Sequence, residues 1–128
     1  MSEIYSIPLT ELVKDFKLDI AYAAPDYESI RLTVEDVARP GLQLAGYFDY
    51  FEPMRLQILG NVEVSYILKK TPQERAAIFD QFFSYKPPAL VIARNFPVDE
   101  QCLEMAKKHG ITILRSGEAT ASLASSLI

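Results

Sequence analysis

Residues 89–114, ALVIARNFPVDEQCLEMAKKHGITIL, decide the fold. The first five form an uninterrupted apolar run, which is typical of a parallel strand that is covered on both faces. Four apolar side chains then fall on one side of a helix over residues 98–109, and Gly110 is a suitable residue to end it. A second apolar run, residues 111–114, follows the glycine. This strand–helix–strand unit predicts a parallel pair of strands with a right-handed crossover.

The rest of the chain continues this alternation of helices and short strands. Thr71, Pro72 and Glu74 form a capping box that begins one helix, and Asn61 is the candidate N-cap of another. Further helical or strand patterns occur over residues 4–7, 9–16, 18–22, 30–34 and 55–60. Together they predict an α/β fold: one domain over residues 1–128, a helix–sheet sandwich with a mixed, mostly parallel sheet of about five strands.

Composition restricts the function. The chain has 128 residues and a net charge of −4, and no run of Lys or Arg exceeds a pair, so we expect no nucleic-acid partner. The single cysteine excludes an internal disulfide and a zinc site built on thiolates. With only one histidine, a metal site would have to consist of carboxylates, and no acidic cluster has suitable spacing. Without a signal peptide or an apolar run of membrane-spanning length, we expect a cytoplasmic protein with no membrane partner.

The C-terminal tail predicts that the sequence is a piece of a longer protein. From Thr120 it is rich in Ala and Ser, with Leu123 and Leu127 at helical spacing. It ends on two apolar residues in the middle of this pattern, without a polar stop signal.

Residues 38–51, ARPGLQLAGYFDYF, imitate a phosphate-binding loop without its chemistry. Two glycines have the correct spacing, but Tyr47 stands where the loop needs Lys and Phe48 where it needs Ser or Thr. These side chains cannot pair with phosphate or bind magnesium, so we interpret the stretch as a packing turn. If its rings are partly exposed, Tyr47, Phe48, Tyr50 and Phe51 favour a subunit interface.

Two arginines follow buried strands at the edge where open α/β sheets bind ligands. Arg94 comes after the first strand of the 89–114 unit and Arg115 after the second. Ser116 could cap a terminal helix and leave N–H groups for an anion. We hypothesise that Arg94, Arg115, Ser116 and Arg39 line an anion pocket. The favoured alternative is that each arginine pairs with a carboxylate such as Asp99 or Glu118.

The residues that most often carry catalysis have simpler interpretations here. Cys102 has Val98 and Met105 on its helical face, which indicates core packing. His109 lies at the end of the same helix, where a cation interacts favourably with the helix dipole. No serine with flanking glycines accompanies the single histidine, so a catalytic site built on a nucleophile and a histidine base has little support.

A family resemblance narrows the function. Residues 39–51, RPGLQLAGYFDYF, resemble the most characteristic segment of the N-terminal domain of HPr kinase/phosphorylase. Residues 55–60, 90–94 and 110–115 match further segments of that family in order and spacing. The resemblance covers essentially the whole chain and implies a fold similar to the uridine-nucleotide-binding domain of Mur ligases.

The resemblance also implies the context of the domain. The family enzyme is bacterial, has two domains and is typically a hexamer. It phosphorylates a serine of the phosphocarrier HPr with ATP or pyrophosphate, reverses this by phosphorolysis, and regulates carbon catabolite repression. Its Walker-type loop, catalytic Asp and magnesium ligands belong to a C-terminal kinase domain, so no catalytic residue, cofactor or metal is carried over to this chain. The implied partners are that kinase domain, sister subunits and, through the whole enzyme, HPr.

Two functions are open on this basis. The favoured one is a non-catalytic regulatory or assembly domain of HPr kinase/phosphorylase. The alternative is a sensor module for a small molecule, such as a phosphometabolite or a nucleotide-like ligand. A free-standing enzyme is disfavoured because the chain lacks matching catalytic groups.

Overall fold

A computed structural model describes residues 6–33 and 38–117. Its main sheet has four strands in the order β2-β6-β5-β4. The central strands β5 (Ala89–Ile92) and β6 (Thr112–Arg115) are parallel, and β4 (Gln57–Leu59) is parallel to β5. At the other edge, β2 (Asp19–Tyr22) runs antiparallel to β6. The sheet is therefore mixed and mostly parallel, as predicted.

Two further strands form a separate ribbon. β1 (Ser6–Pro8) pairs with β3 (Arg31–Thr33) in antiparallel register. The chain thus has six described strands in two sheets, and the prediction of a single sheet of about five strands was wrong in this respect. The ribbon strands are only three residues long, so their alternation could not show whether they join the main sheet or lie apart from it.

Within the described residues, five α-helices and a short 3-10 helix (Tyr27–Ser29) accompany the strands. The α-helices are α1 (Leu9–Asp15), α2 (Gly41–Leu44), α3 (Asn61–Leu68), α4 (Pro72–Ser84) and α5 (Glu100–His109). The helix predicted from the tail after Thr120 lies outside the described residues.

The core lies on both faces of β5. Ala89 and Val91 contribute to one cluster, which also contains α1 and the ribbon residue Leu32. Leu90 and Ile92 contribute to the other, which contains side chains of α3, α4 and α5. All four β5 residues are buried, which is why the strand has no polar face.

Polar contacts at two places join α4 to α5. At one end, Arg75 Nη1 lies 2.9 Å from Asp99 Oδ1. At the other, Asp80 Oδ1 lies 2.6 Å from His109 Nε2 and 3.0 Å from Lys108 Nζ. The hydrogen bond from His109, followed by that from Lys108, holds the pKa of Asp80 below its ordinary value. His109 occupies the last turn of α5, as predicted, and also contacts the neighbouring helix.

The helix caps show where local prediction succeeds. Thr71 Oγ1 accepts a hydrogen bond from the Glu74 N–H, and the Glu74 carboxylate accepts one from the Thr71 N–H, so the predicted capping box is present. Asn61, however, is the first residue of α3, and Gly60 takes the N-cap position. The prediction of Asn61 as N-cap was wrong: the helix begins one residue earlier, and Glu63 Oε1 accepts the N–H of the N-cap residue Gly60 at 2.7 Å.

The Thr71 cap gives a direct test of the fold. Thr71→Ala removes the acceptor for an N–H in the first turn of α4 and should lower the free energy of unfolding by about 1 kcal/mol. Thr71→Ser retains the hydroxyl and should lose less than half as much. Urea unfolding of the three proteins measures both values. An equal loss in the Ser and Ala variants would show that the hydroxyl does not stabilise α4.

Candidate functional site

The aromatic stretch of residues 47–51 packs against the end of α4. The ring of Phe48 stacks on Tyr85, with centroids 4.4 Å apart and planes 8° from parallel. Phe51 meets Phe48 and Tyr85 edge-on at 5.7 and 5.5 Å, and it also contacts the buried ring of Phe82 at 5.8 Å. The half-buried rings of Phe48 and Phe51 therefore attach this stretch to the core.

Other side chains of the same region point into solvent. Tyr50 is 96% exposed and Tyr47 is 49% exposed. Tyr50 also has a φ of 61°, in the left-handed region that costs a non-glycine residue about 1–2 kcal/mol. We define the aromatic surface as Leu42, Tyr47, Phe48, Tyr50, Phe51, Met54 and Tyr85. Leu42, Met54 and Tyr85 were not predicted, since they lie outside the aromatic run.

A buried amide holds the turn that follows this surface. Gln57 Nε2 donates to the Arg55 carbonyl at 2.8 Å and to the Glu52 carbonyl at 3.5 Å. An ion pair of 2.6 Å between Glu52 and Arg55 closes the same turn. Gln57 is fully buried, and within the described part of the chain its Oε1 accepts no hydrogen bond. The sequence pattern gave no sign of this role, because Gln57 lies in an otherwise apolar strand.

The backbone of residues 41–47 differs from a phosphate-binding loop. Such a loop aims its N–H groups at the ligand. Here the Gly46 N–H donates to the Gln43 carbonyl at 3.0 Å, and the Tyr47 N–H donates to the Leu42 carbonyl at 2.9 Å. Gly46 has a φ of 100°, which allows the chain to turn after α2. The stretch is a helix end that presents aromatic side chains.

The structure gives the four residues of the predicted anion pocket different environments. Arg39 donates to both carboxylate oxygens of the buried Glu63, at 3.1 and 3.0 Å. Arg115 donates to the carbonyls of Phe96 at 3.0 Å and Asn95 at 2.6 Å.

The other two residues of that pocket lie at the carboxyl ends of β5 and β6. Ser116 is buried, and its backbone N–H donates to the Ile92 carbonyl. The Arg94 side chain is exposed, with no hydrogen-bond or ion-pair partner among residues 6–33 and 38–117. Asp99 pairs with Arg75 and not with Arg39, Arg94 or Arg115, and Glu118 lies outside the described residues. The anion pocket stays a prediction.

The helices and the carboxyl ends of β4 and β5 line a partly open cavity of about 410 Å³. Its walls include Leu59 and Ile92 from the strand ends, Ile67 from α3, Phe79 from α4 and Cys102 from α5. Burial raises the pKa of the Cys102 thiol, with a smaller contribution from Asp99. Cys102 is thus a packed, protonated side chain, as its helical pattern predicts.

Other kinds of site find no support in the described residues. Over residues 6–33 and 38–117, no three His, Cys, Asp or Glu side chains cluster in a way that could hold a metal ion. The helices of these same segments are too short or too polar to cross a membrane.

Comparison with known proteins identifies the family. The family model described as HPr Serine kinase N terminus matches residues 7–128. The chain belongs to this family.

Several bacterial relatives of this HPr kinase N-terminal chain carry the name HPr kinase/phosphorylase. The protein from Streptococcus equinus is 40% identical over 118 residues, which cover 92% of this chain and 38% of the relative. The protein from Streptococcus uberis is 34% identical over 122 residues, covering 95% and 39%. The chain therefore spans somewhat more than a third of the length of these relatives.

A solved structure supports the α/β fold of the HPr kinase N-terminal chain. It contains the CBS and DRTGG domains of the regulatory region of Clostridium perfringens pyrophosphatase, complexed with the activator diadenosine tetraphosphate. The TM-score is 0.65 over 93% of this chain and 45% of that one, at 13% identity. At this identity the likeness concerns the fold alone. The expected similarity to Mur ligases stays a prediction.

Substitution of Gln57 tests whether its buried amide stabilises the turn that follows the aromatic surface. Gln57→Glu places a buried carboxylate against the Arg55 and Glu52 carbonyls and should lower the free energy of unfolding by about 2–4 kcal/mol near neutral pH. Burial and the facing carbonyls should raise the pKa of the new carboxyl. The loss is therefore complete above that raised pKa and shrinks as the pH falls through it, since the protonated acid can donate to Arg55.

Urea unfolding at neutral pH and at about pH 5 measures this change relative to the unmodified chain. Gln57→Met has a similar shape and no charge, so its loss should not depend on pH. A loss in Gln57→Glu that stays constant or grows on acidification would contradict the role assigned to the Gln57 amide.

Proposed function

We propose that this chain is a non-catalytic regulatory and assembly domain of an HPr kinase/phosphorylase. In the cytoplasm, that enzyme phosphorylates and dephosphorylates a serine of HPr in carbon catabolite repression, with ATP or pyrophosphate and magnesium bound in a C-terminal kinase domain. Family membership supports this context. The role of the domain is to join subunits through the aromatic surface.

One observation carries the proposal: the exposed Tyr50 ring. A tyrosine that is 96% exposed gains no packing energy, and its left-handed backbone adds a cost that glycine or asparagine would avoid. Tyr47 and Leu42 are also exposed, and Phe51 connects the exposed side chains to the core. Exposed apolar side chains grouped on one segment commonly mark protein–protein contacts, where Tyr and Phe provide large buried areas.

The proposal is tested by the self-association of this chain. Sedimentation equilibrium of the unmodified protein should show concentration-dependent dimers or larger assemblies. The double substitution Tyr47→Glu and Tyr50→Glu places two carboxylates in the buried contact and should raise the dissociation constant at least about tenfold.

Ile20→Glu is the matched control. Ile20 is 47% exposed, close to the value for Tyr47, but it lies on β2 at the opposite edge of the sheet from β4. This variant should associate like the unmodified chain. A chain that is monomeric at all concentrations, or an Ile20→Glu variant that dissociates as fully as the double variant, would contradict the proposal.

The second candidate is a sensor for an anionic small molecule such as a phosphometabolite. Its support is Arg94, an exposed cation with a φ of 57° at the carboxyl end of β5. Arg115 and Ser116 lie on the adjacent strand end, and Arg39 would have to leave Glu63 to contribute.

Pyrophosphate and sulfate titrations followed by amide chemical shifts test the sensor candidate. We expect saturable shifts at residues 94–95 and 115–116, with an affinity that falls at least about fivefold in Arg94→Gln. Lys107→Gln removes an exposed cation on α5 and should leave the titration unchanged. Shifts that are absent, or equal losses in both variants, would reject an anion site at this edge.

A further inference from the structure

The cavity of about 410 Å³ lies at the carboxyl ends of two parallel strands. This edge of an open α/β sheet is where such folds bind ligands, and the volume is within the range of small-molecule sites. The walls come from three helices, α3, α4 and α5, and from the loop that carries Phe96. The cavity has none of Arg39, Arg94, Arg115 or Ser116 in its walls, so it is distinct from the predicted anion pocket.

Several polar contacts fix the loop wall of this cavity. Arg94 and Asn95 are consecutive non-glycine residues with φ of 57° and 52°, a conformation that persists only where its surroundings enforce it. Arg115 donates to the carbonyls of Asn95 and Phe96, and the Asn95 N–H donates to the Ser116 carbonyl at 2.8 Å. The strained loop is therefore held in place and sets Phe96 against the cavity.

The helix walls are fixed as well. The ion pair between Arg75 and Asp99 joins α4 to α5 directly at the cavity. Asp99 Oδ2 accepts the N–H groups of Gln101 and Cys102, at 3.1 and 3.2 Å, and so caps α5. Because these N–H groups already donate to the Asp99 carboxylate, the start of α5 has no free donors for an anion.

The charges of the lining determine which ligand fits. Arg75 contributes one positive charge, and Asp99 and Glu100 contribute two negative charges, so the lining is net negative and disfavours an anionic ligand. Arg75 Nε donates to the Lys70 carbonyl and Nη1 to Asp99. In the described segments no group accepts a hydrogen bond from Arg75 Nη2, which leaves one strong donor beside a mostly apolar wall.

We propose that this cavity binds an uncharged, mainly aromatic or apolar small molecule that carries a carbonyl-type acceptor. The ring packs between Phe79 and Phe96, and the carbonyl oxygen accepts from Arg75 Nη2. This ligand class differs from the anionic metabolite considered above, and the site does not depend on the aromatic surface.

The probes for this site are 1-naphthamide and 1-naphthoate, which have nearly the same shape and differ in charge. Amide chemical shifts of this chain should show saturable binding of 1-naphthamide, with the largest changes among residues that line the cavity. 1-Naphthoate should bind at least about fivefold more weakly, since Asp99 and Glu100 repel its carboxylate.

Two valines of α3 provide matched variants. Val64 lines the cavity, whereas the exposed Val62 does not. Val64→Trp should fill the space and weaken 1-naphthamide binding at least about tenfold, while Val62→Trp should leave it unchanged. Absent saturation, shifts located away from the cavity, stronger binding of 1-naphthoate, or equal effects of the two Trp variants would each overturn the proposal. If Val64→Trp does not fold, the comparison of 1-naphthamide with 1-naphthoate and the location of the shifted residues still test the proposal.

Discussion

The rest of the structure depends on the burial of β5 from both sides. Ala89 and Val91 face one core cluster and Leu90 and Ile92 face the other, so each face of the strand needs a covering layer. α1 and the β1–β3 ribbon cover the first face, and α3, α4 and α5 cover the second. The hydrophobic effect favours covering both apolar faces of β5. The ion pairs between α4 and α5 then fix the position of these two helices relative to each other.

Helix α4 connects the two regions that we associate with function. Phe79 lines the cavity and packs on Phe83, with ring centroids 5.6 Å apart. Phe83 contacts Phe82 at 5.5 Å, and Phe82 contacts Phe51 at 5.8 Å. A continuous series of packed rings therefore runs from the cavity to the aromatic surface, and both regions rest on the same buried face of one helix.

The sequence predicted the elements whose signals are local. The apolar runs of β5 and β6, the Thr71 capping box and the left-handed Gly110 are all present in the structure. The N-cap of α3 was misplaced by one residue: the helix begins one residue earlier, and the Glu63 carboxylate accepts the Gly60 N–H. The separate ribbon was missed because strand partners far apart in sequence leave no local signal.

The functional regions were less predictable for the same reason. The aromatic run could be seen in the sequence, but Tyr85 joins it only through packing at the end of α4. Arg115 was hypothesised to line an anion pocket, with pairing to a carboxylate as the favoured alternative, and in the structure it donates to backbone carbonyls that lie about twenty residues earlier. Arg75, Phe96 and Cys102 meet at the cavity only after the sheet and its helices have assembled.

The central claim is that the aromatic surface is an association surface, and amide chemical shifts recorded over a range of protein concentrations test it most directly. We expect concentration-dependent shifts that are confined to residues 42–54 and the neighbourhood of Tyr85. Shifts that are centred on β2 or the β1–β3 ribbon, or spectra that do not change with concentration, would contradict it.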